Sequence, residues 1–284
     1  MSYQEYRPSQ FQVLPPVVKN ILIINIIFFL ASTVMGMRFD IELSDYLGLH
    51  YFASEKFRIY QLITYMFMHG GFMHIFFNMF ALWMFGNVLE NYWGGKRFLI
   101  YYLVTGVGAA LVHYTIYYFE LMPTVDFINQ YLAHPDLKQF EDFFSSNYLK
   151  VSSVEIQSHV KEFITRYNAM DLTASPAQKI KASLDFMTQY KNDLYDAPVV
   201  IGASGAVFGI LLAFGMLFPN TMLYIYFAIP IKAKYFVIIY GAIELYQGIS
   251  SSPGDNVAHF AHLGGMLFGF FLIKYWNKKL NKFY

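Results

Sequence analysis

The chain has 284 residues, of which 56% are hydrophobic, 20% aromatic and only 14% charged, where a soluble domain carries about 25% charge. Lys and Arg number 20 against 19 Asp and Glu, so the balance offers no electrostatic footprint for nucleic acid. The absence of cysteine excludes disulfides, thiolate metal sites and a cysteine nucleophile. Low charge with abundant apolar residues also excludes a largely disordered chain.

In chain order, Met1 to Val18 carries no apolar h-region and no small-residue cleavage site. The apolar segment that follows, Asn20 to Met37, therefore reads as an uncleaved anchor. Further segments run from His69 to Leu89, Phe98 to Phe119, Pro198 to Phe218 and Asn256 to Ile273, none of the five containing Asp, Glu, Lys or Arg. Each approaches the roughly 20 apolar residues that cross a bilayer as a helix. A shorter segment, Tyr235 to Ile249, carries Glu244 and completes a set of six spans. The expected fold is an all-α polytopic membrane protein, one domain over residues 1–284.

Basic residues orient it. Lys96 and Arg97, Lys232 and Lys234, and Lys274, Lys278, Lys279 and Lys282 fall on one side, with Arg7 and Lys19 of the tail. The positive-inside rule makes that side cytoplasmic, with both termini there. Glu120 to Ala197 is charge-rich and projects on the opposite face between spans three and four. Ser152 with Glu155 resembles a capping box ahead of Ile156, Val160, Phe163 and Tyr167. Ser175 and Pro176 form a second helix start ahead of Ile180, Leu184 and Met187. This insert is expected to be a helical subdomain docked on the outer surface, where it either shapes access or substrate choice or is a passive solvated appendage.

Polar groups inside spans are costly and are functional candidates by default. Span two holds His69, His74 and Asn78, span four holds Ser204 within Gly202-Ala203-Ser204-Gly205, and span six holds His259 and His262. Counting from the outer ends, Ser204 and His262 lie about six residues in and Asn78 about nine, roughly 10 Å deep at 1.5 Å per residue. Gly205/Gly209 and Gly265/Gly269 are GxxxG pairs that let spans four and six approach closely. A serine beside an imidazole is the pairing an activated nucleophile requires, and His74 and Asn78, at i and i+4, can present donors to an oxyanion. Other readings of the same residues are a serine bonded to its own backbone, plain glycine packing, and a histidine metal site. Glu244 reads as the partner of an interior polar group, and His113 and Asn25 as polar contacts inside the bundle.

Three motifs together resemble the rhomboid family of intramembrane serine proteases. They are His69-Gly70-Gly71-Phe72-Met73-His74-Ile75-Phe76-Phe77-Asn78, Gly202-Ala203-Ser204-Gly205, and Ala261-His262-Leu263-Gly264-Gly265-Met266-Leu267-Phe268-Gly269. The resemblance implies a Ser204–His262 dyad without an acidic third member, with His262 and not His259 as the base. It implies an oxyanion site made by Asn78, His74 and the Ser204 N–H, and Phe208 as the aromatic platform of the base. It also implies Gly202 as a point of substrate approach and His69 in a structural or hydration role. No metal or cofactor is expected. Substrates would be single-pass membrane proteins with helix-destabilising residues. The absence of cysteine and the short tail point to a bacterial cytoplasmic membrane. The family's Trp-Arg pair in the first loop is replaced here by Tyr60-Gln61. The rival readings are a non-catalytic rhomboid-like binding protein and a transporter or metal-binding membrane protein.

Overall fold

The computed structural model describes residues 11–151, 153–170, 174–197, 199–225, 228–250 and 256–280. Ser152, Pro198, Arg7 and Lys282, which enter the reading above, lie outside them. The elements are α1 (Pro16–Phe39), α2 (Leu43–Leu47), α3 (Gln61–Thr64), α4 (Phe72–Ala81), α5 (Asn87–Trp93), α6 (Gly95–Ala133), α7 (Leu137–Ser145), α8 (Val154–Met170) and α9 (Pro176–Asp196). There follow α10 (Ser204–Leu217), strands β1 (Met222–Ile225) and β2 (Ile229–Lys232), α11 (Ala233–Ser250) and α12 (Asn256–Leu280). A single π-helical turn, Leu82–Gly86, joins α4 to α5 without a break.

Pro16–Phe39, Phe72–Trp93 and Gly95–Ala133 are each long and apolar enough to cross a bilayer, and Ser204–Leu217 is a shorter apolar helix. Large apolar side chains such as Ile26, Ile27, Leu30, Phe77, Ile238 and Phe271 point outward. An apolar outer surface over hydrogen-bonded helices is what lipid demands. The chain is an all-α polytopic membrane protein.

The short α10 is the axis of the bundle. Gly205 to Leu211 and Ala213 to Gly215 are all buried, as expected of a helix apolar all round. It packs against α6 and α12, which also pack along each other. Gly205 and Gly265 form the close contact of α10 with α12, where a Cβ on Gly265 would collide with the Gly205 carbonyl. The second members of the two GxxxG pairs correct the sequence reading. Gly209 faces Thr105, and Gly269 faces Tyr101 and Thr105, so both accommodate α6. The Tyr101 hydroxyl donates to the Gly209 carbonyl at 2.8 Å. Because the Gly205 carbonyl is backbone and cannot swing aside, Gly265→Ala should cost about 1–3 kcal/mol by overpacking. Thermal unfolding in detergent measures this, and an unchanged midpoint would remove the contact from the account.

At the other end, the buried Glu90 carboxylate accepts from the Val17 and Val18 N–H groups at 2.9 and 2.7 Å. It thereby caps α1, whose Pro15 and Pro16 start provides no side-chain cap.

The insert differs from expectation at its near end. Helix α6 does not stop at Phe119 but continues through Pro123 to Ala133. Tyr117, Leu121, Thr124, Ile128 and Tyr131 keep a buried stripe at helical spacing. That stripe joins Phe140, Phe143, Ile156, Val160, Phe163, Phe186, Met187 and Tyr190 in a second apolar core. Helix α7 and the β1–β2 hairpin, antiparallel with Leu223 opposite Ile231, are elements the sequence reading did not include. At α9, Ser175 and Gln178 form a reciprocal capping box. At α8, Ser153 accepts from the Ile156 N–H at 3.1 Å.

His159 Nδ1 meets Asp193 Oδ2 at 2.9 Å and ties α8 to α9. The hydrogen bond to Asp193 raises the half-exposed His159 imidazole above its ordinary value of 6.5. Stabilisation from a raised histidine is present below 6.5 and is lost as pH rises through the folded-state value. Proteolysis of the insert should therefore be slower at pH 6 than at pH 8 in the native chain, and equally fast at both in His159→Gln.

Candidate active site

The backbone before α10 sets the site. Leu49 and Val200 exchange N–H to carbonyl bonds at 2.9 Å in both directions, and the Gly202 N–H donates to the Tyr65 carbonyl at 2.9 Å. Val200 is thus paired with the first loop in an antiparallel bridge, while Ala203, with φ −74° and ψ −4°, already has helical backbone. Ser204 accordingly opens α10 and is not six residues inside a helix, contrary to the sequence reading. Apolar composition alone does not separate this strap from the helix after it. Gly202 turns the chain with φ +122°, a conformation that disfavours side chains, and a Cβ there would lie 2.7 Å from His74 Nε2. Its Ser204 N–H and Gly205 N–H are first-turn donors without intrahelical acceptors, at the positive end of the helix dipole.

Ser204 Oγ lies 2.9 Å from His262 Nε2. The His262 ring stacks on Phe208, one turn after Ser204, with centroids 4.2 Å apart and planes 6° apart. On its other edge, His262 Nδ1 lies 2.9 Å from Glu244 Oε2, and His259 Nδ1 reaches the same oxygen at 2.8 Å. The dyad geometry implied by the resemblance therefore has a carboxylate attached to it. Glu244, seen in the sequence only as a polar partner, is buried between α11 and α12 at 5% exposure.

His74 and Asn78 face the same cleft, a cavity of about 530 Å³ lined also by Ser204, Phe208, Tyr240 and His262. Its flanks are α4 and α11, with Phe77, Met84 and Phe236 as apolar walls. The Gly70 N–H approaches His74 Nδ1 at 3.4 Å. Asn78 Nδ2 donates one hydrogen to the His74 carbonyl at 2.9 Å, which leaves the second N–H of the amide. His69 is buried edge to face against His74, with centroids 5.0 Å apart, and lines a separate cavity of about 390 Å³ beside α1. A larger cavity, about 660 Å³, lies between α8 and α9 and has no serine in its lining.

Among the described residues, the group able to hold a metal is Glu244, His259 and His262, whose ligand atoms lie within 4.8 Å of one another. His69 and His74 are not part of it.

The first loop carries a residue whose role the sequence did not show. Gln61 is 1% exposed. Its Oε1 accepts from the Arg58 N–H at 3.1 Å and the His50 N–H at 3.4 Å. Its Nε2 donates to the Lys56 and Tyr46 carbonyls at 3.1 and 3.2 Å. Four backbone groups of the loop are tied to one amide, which anchors the loop.

A membrane-embedded helical bundle with a serine and a histidine meeting in a cleft at the start of its central helix is the class that fold and site define. The rhomboid-domain family model matches residues 56–122 and 153–278. The chain belongs to the rhomboid family, a family of intramembrane proteases. Within the insert, α8 and α9 fall inside that match and α7 outside it. No curated protein matches the chain.

Proposed function

We propose that the chain is an intramembrane serine endopeptidase that cleaves single-pass membrane proteins with Ser204 and His262. The observation that carries this is the 2.9 Å approach of Ser204 Oγ to His262 Nε2 in a cleft between helices. His262 takes the hydroxyl proton as Ser204 Oγ attacks the scissile carbonyl, and returns a proton to the leaving amine. The acyl-enzyme is then hydrolysed by water activated by the same base. Charge developing on the carbonyl oxygen is met by the Ser204 N–H, the second Asn78 N–H and His74 Nε2. Gly202, without a side chain, leaves room for substrate backbone, and Phe208 holds the plane of the base. His69 supports His74 from behind.

Six apolar segments support six spans, and the distribution of basic residues supports cytoplasmic termini with the insert on the outer face. The membrane is proposed to be a bacterial cytoplasmic membrane. The Ser54 hydroxyl of the first loop donates to Asp196 Oδ1 at the end of the insert at 2.5 Å, a contact that supports a role of the insert in the choice of protein substrates. A substrate helix has its carbonyls hydrogen-bonded at i to i+4 and must unwind locally before attack. Liposomes holding the protein and a single-pass substrate with Gly or Pro near the outer face test this. Cleavage inside the apolar segment, abolished when those residues become Leu, is expected. Cleavage confined to water-soluble loops would contradict the reading.

A further inference from the structure

We propose that Glu244 is a positioning residue for the base, so that Ser204, His262 and Glu244 act as a three-member unit with His259 as a second anchor of the carboxylate. The inference rests on the protease reading above and adds to it. A neutral imidazole has one N–H and one lone pair. Glu244 Oε2, 2.9 Å from His262 Nδ1, belongs to a carboxylate that only accepts, so Nδ1 carries the hydrogen. The lone pair is then on Nε2, at 2.9 Å from Ser204 Oγ, where a general base needs it.

The Phe208 stack fixes the plane of the ring but not its rotation within that plane. A ring turned within the stack would present carbon to the serine. The Nδ1 bond to Glu244 removes that freedom. When Nε2 takes the serine proton, the imidazolium forms against a buried carboxylate, an attraction realised during the reaction and not on substrate binding.

The neighbourhood supports an ionised carboxylate. A buried charge among apolar helices is costly unless hydrogen-bonded, and His259 supplies a second donor to the same oxygen at 2.8 Å. Gly248, whose Cβ would meet Phe260 at 3.2 Å, and Gly241 beside Met266 let α11 approach α12 closely enough for these contacts.

Glu244→Gln tests the proposal in the full chain. It is nearly isosteric, and its NH₂ can donate to Nδ1, which moves the ring hydrogen to Nε2 and blocks the base. The expected result is a kcat lower on the order of 10²- to 10⁴-fold with KM within about twofold. In parallel, ¹⁵N spectra of wild type should show His262 with Nδ1 protonated and Nε2 unprotonated, and Glu244→Gln should reverse this. Wild-type kcat in Glu244→Gln, or an unprotonated Nδ1 in wild type, would overturn the positioning role. The spectrum of wild type decides the matter even where the variant does not fold. Stoichiometric zinc in purified protein, lost with Glu244→Gln, would also overturn it by making the three side chains a ligand set. A wild-type protein inert toward both substrate and a fluorophosphonate would instead sink the protease reading itself.

Discussion

Ser204→Ala and His262→Ala should each bring cleavage of a transmembrane substrate to background while the protein remains folded. Each removes half of a unit whose loss costs on the order of 10⁶ in turnover in soluble serine proteases. The tight contact between their helices is made by the backbones at Gly205 and Gly265, which neither substitution touches. His259→Ala should behave differently. His259 lies beside Glu244, and its removal leaves the 2.9 Å contact of His262 with Ser204 in place. Loss of one of two donors to the carboxylate should lower turnover by about tenfold or less, the scale of one hydrogen bond. Paired rate measurements on the three variants check this. An essential His259 with a dispensable His262 would reverse the assignment of the base.

Asn78→Ala should lower kcat by about 10²- to 10³-fold with little change in KM, as loss of one oxyanion donor does. The amide already spends one hydrogen on the His74 carbonyl and has one left in the cleft. A purely structural asparagine, fixing the turn of α4 through that bond, would lower thermal stability and leave the kcat of the folded fraction intact. Measuring both quantities separates the roles, and wild-type turnover would place the oxyanion site on the backbone of α10 and His74 alone.

Much of this was legible in the sequence because lipid imposes simple rules. Long uncharged segments mark α1, the α4–α5 helix and α6, and rare polar residues within such segments point to Ser204, His262, His74 and Asn78. The Gly205–Gly265 contact also follows from small residues spaced for close approach. Composition was blind elsewhere. Residues 199–202 are as apolar as α10, yet they lie outside the helix, because the pairing of Val200 with Leu49 and of Gly202 with Tyr65 is a tertiary matter. The end of α6 was not legible because the sequence becomes more polar after Phe119 while the helix runs on, its buried stripe passing into a second apolar core. Glu244 was visible as a charge among apolar residues. Its two histidine partners lie on the next helix, and only the packing of α11 against α12 brings them to one oxygen.

The most direct measurement is covalent labelling of the detergent-solubilised protein with a small fluorophosphonate, read by mass spectrometry. Reaction requires a serine made nucleophilic by a base, and it needs neither a protein substrate nor the insert. The account predicts one label per chain on Ser204, and none in Ser204→Ala or His262→Ala. A folded wild-type protein that takes no label, or takes it on another serine with Ser204 unmodified, would contradict the claim that Ser204 and His262 form a nucleophile and its base.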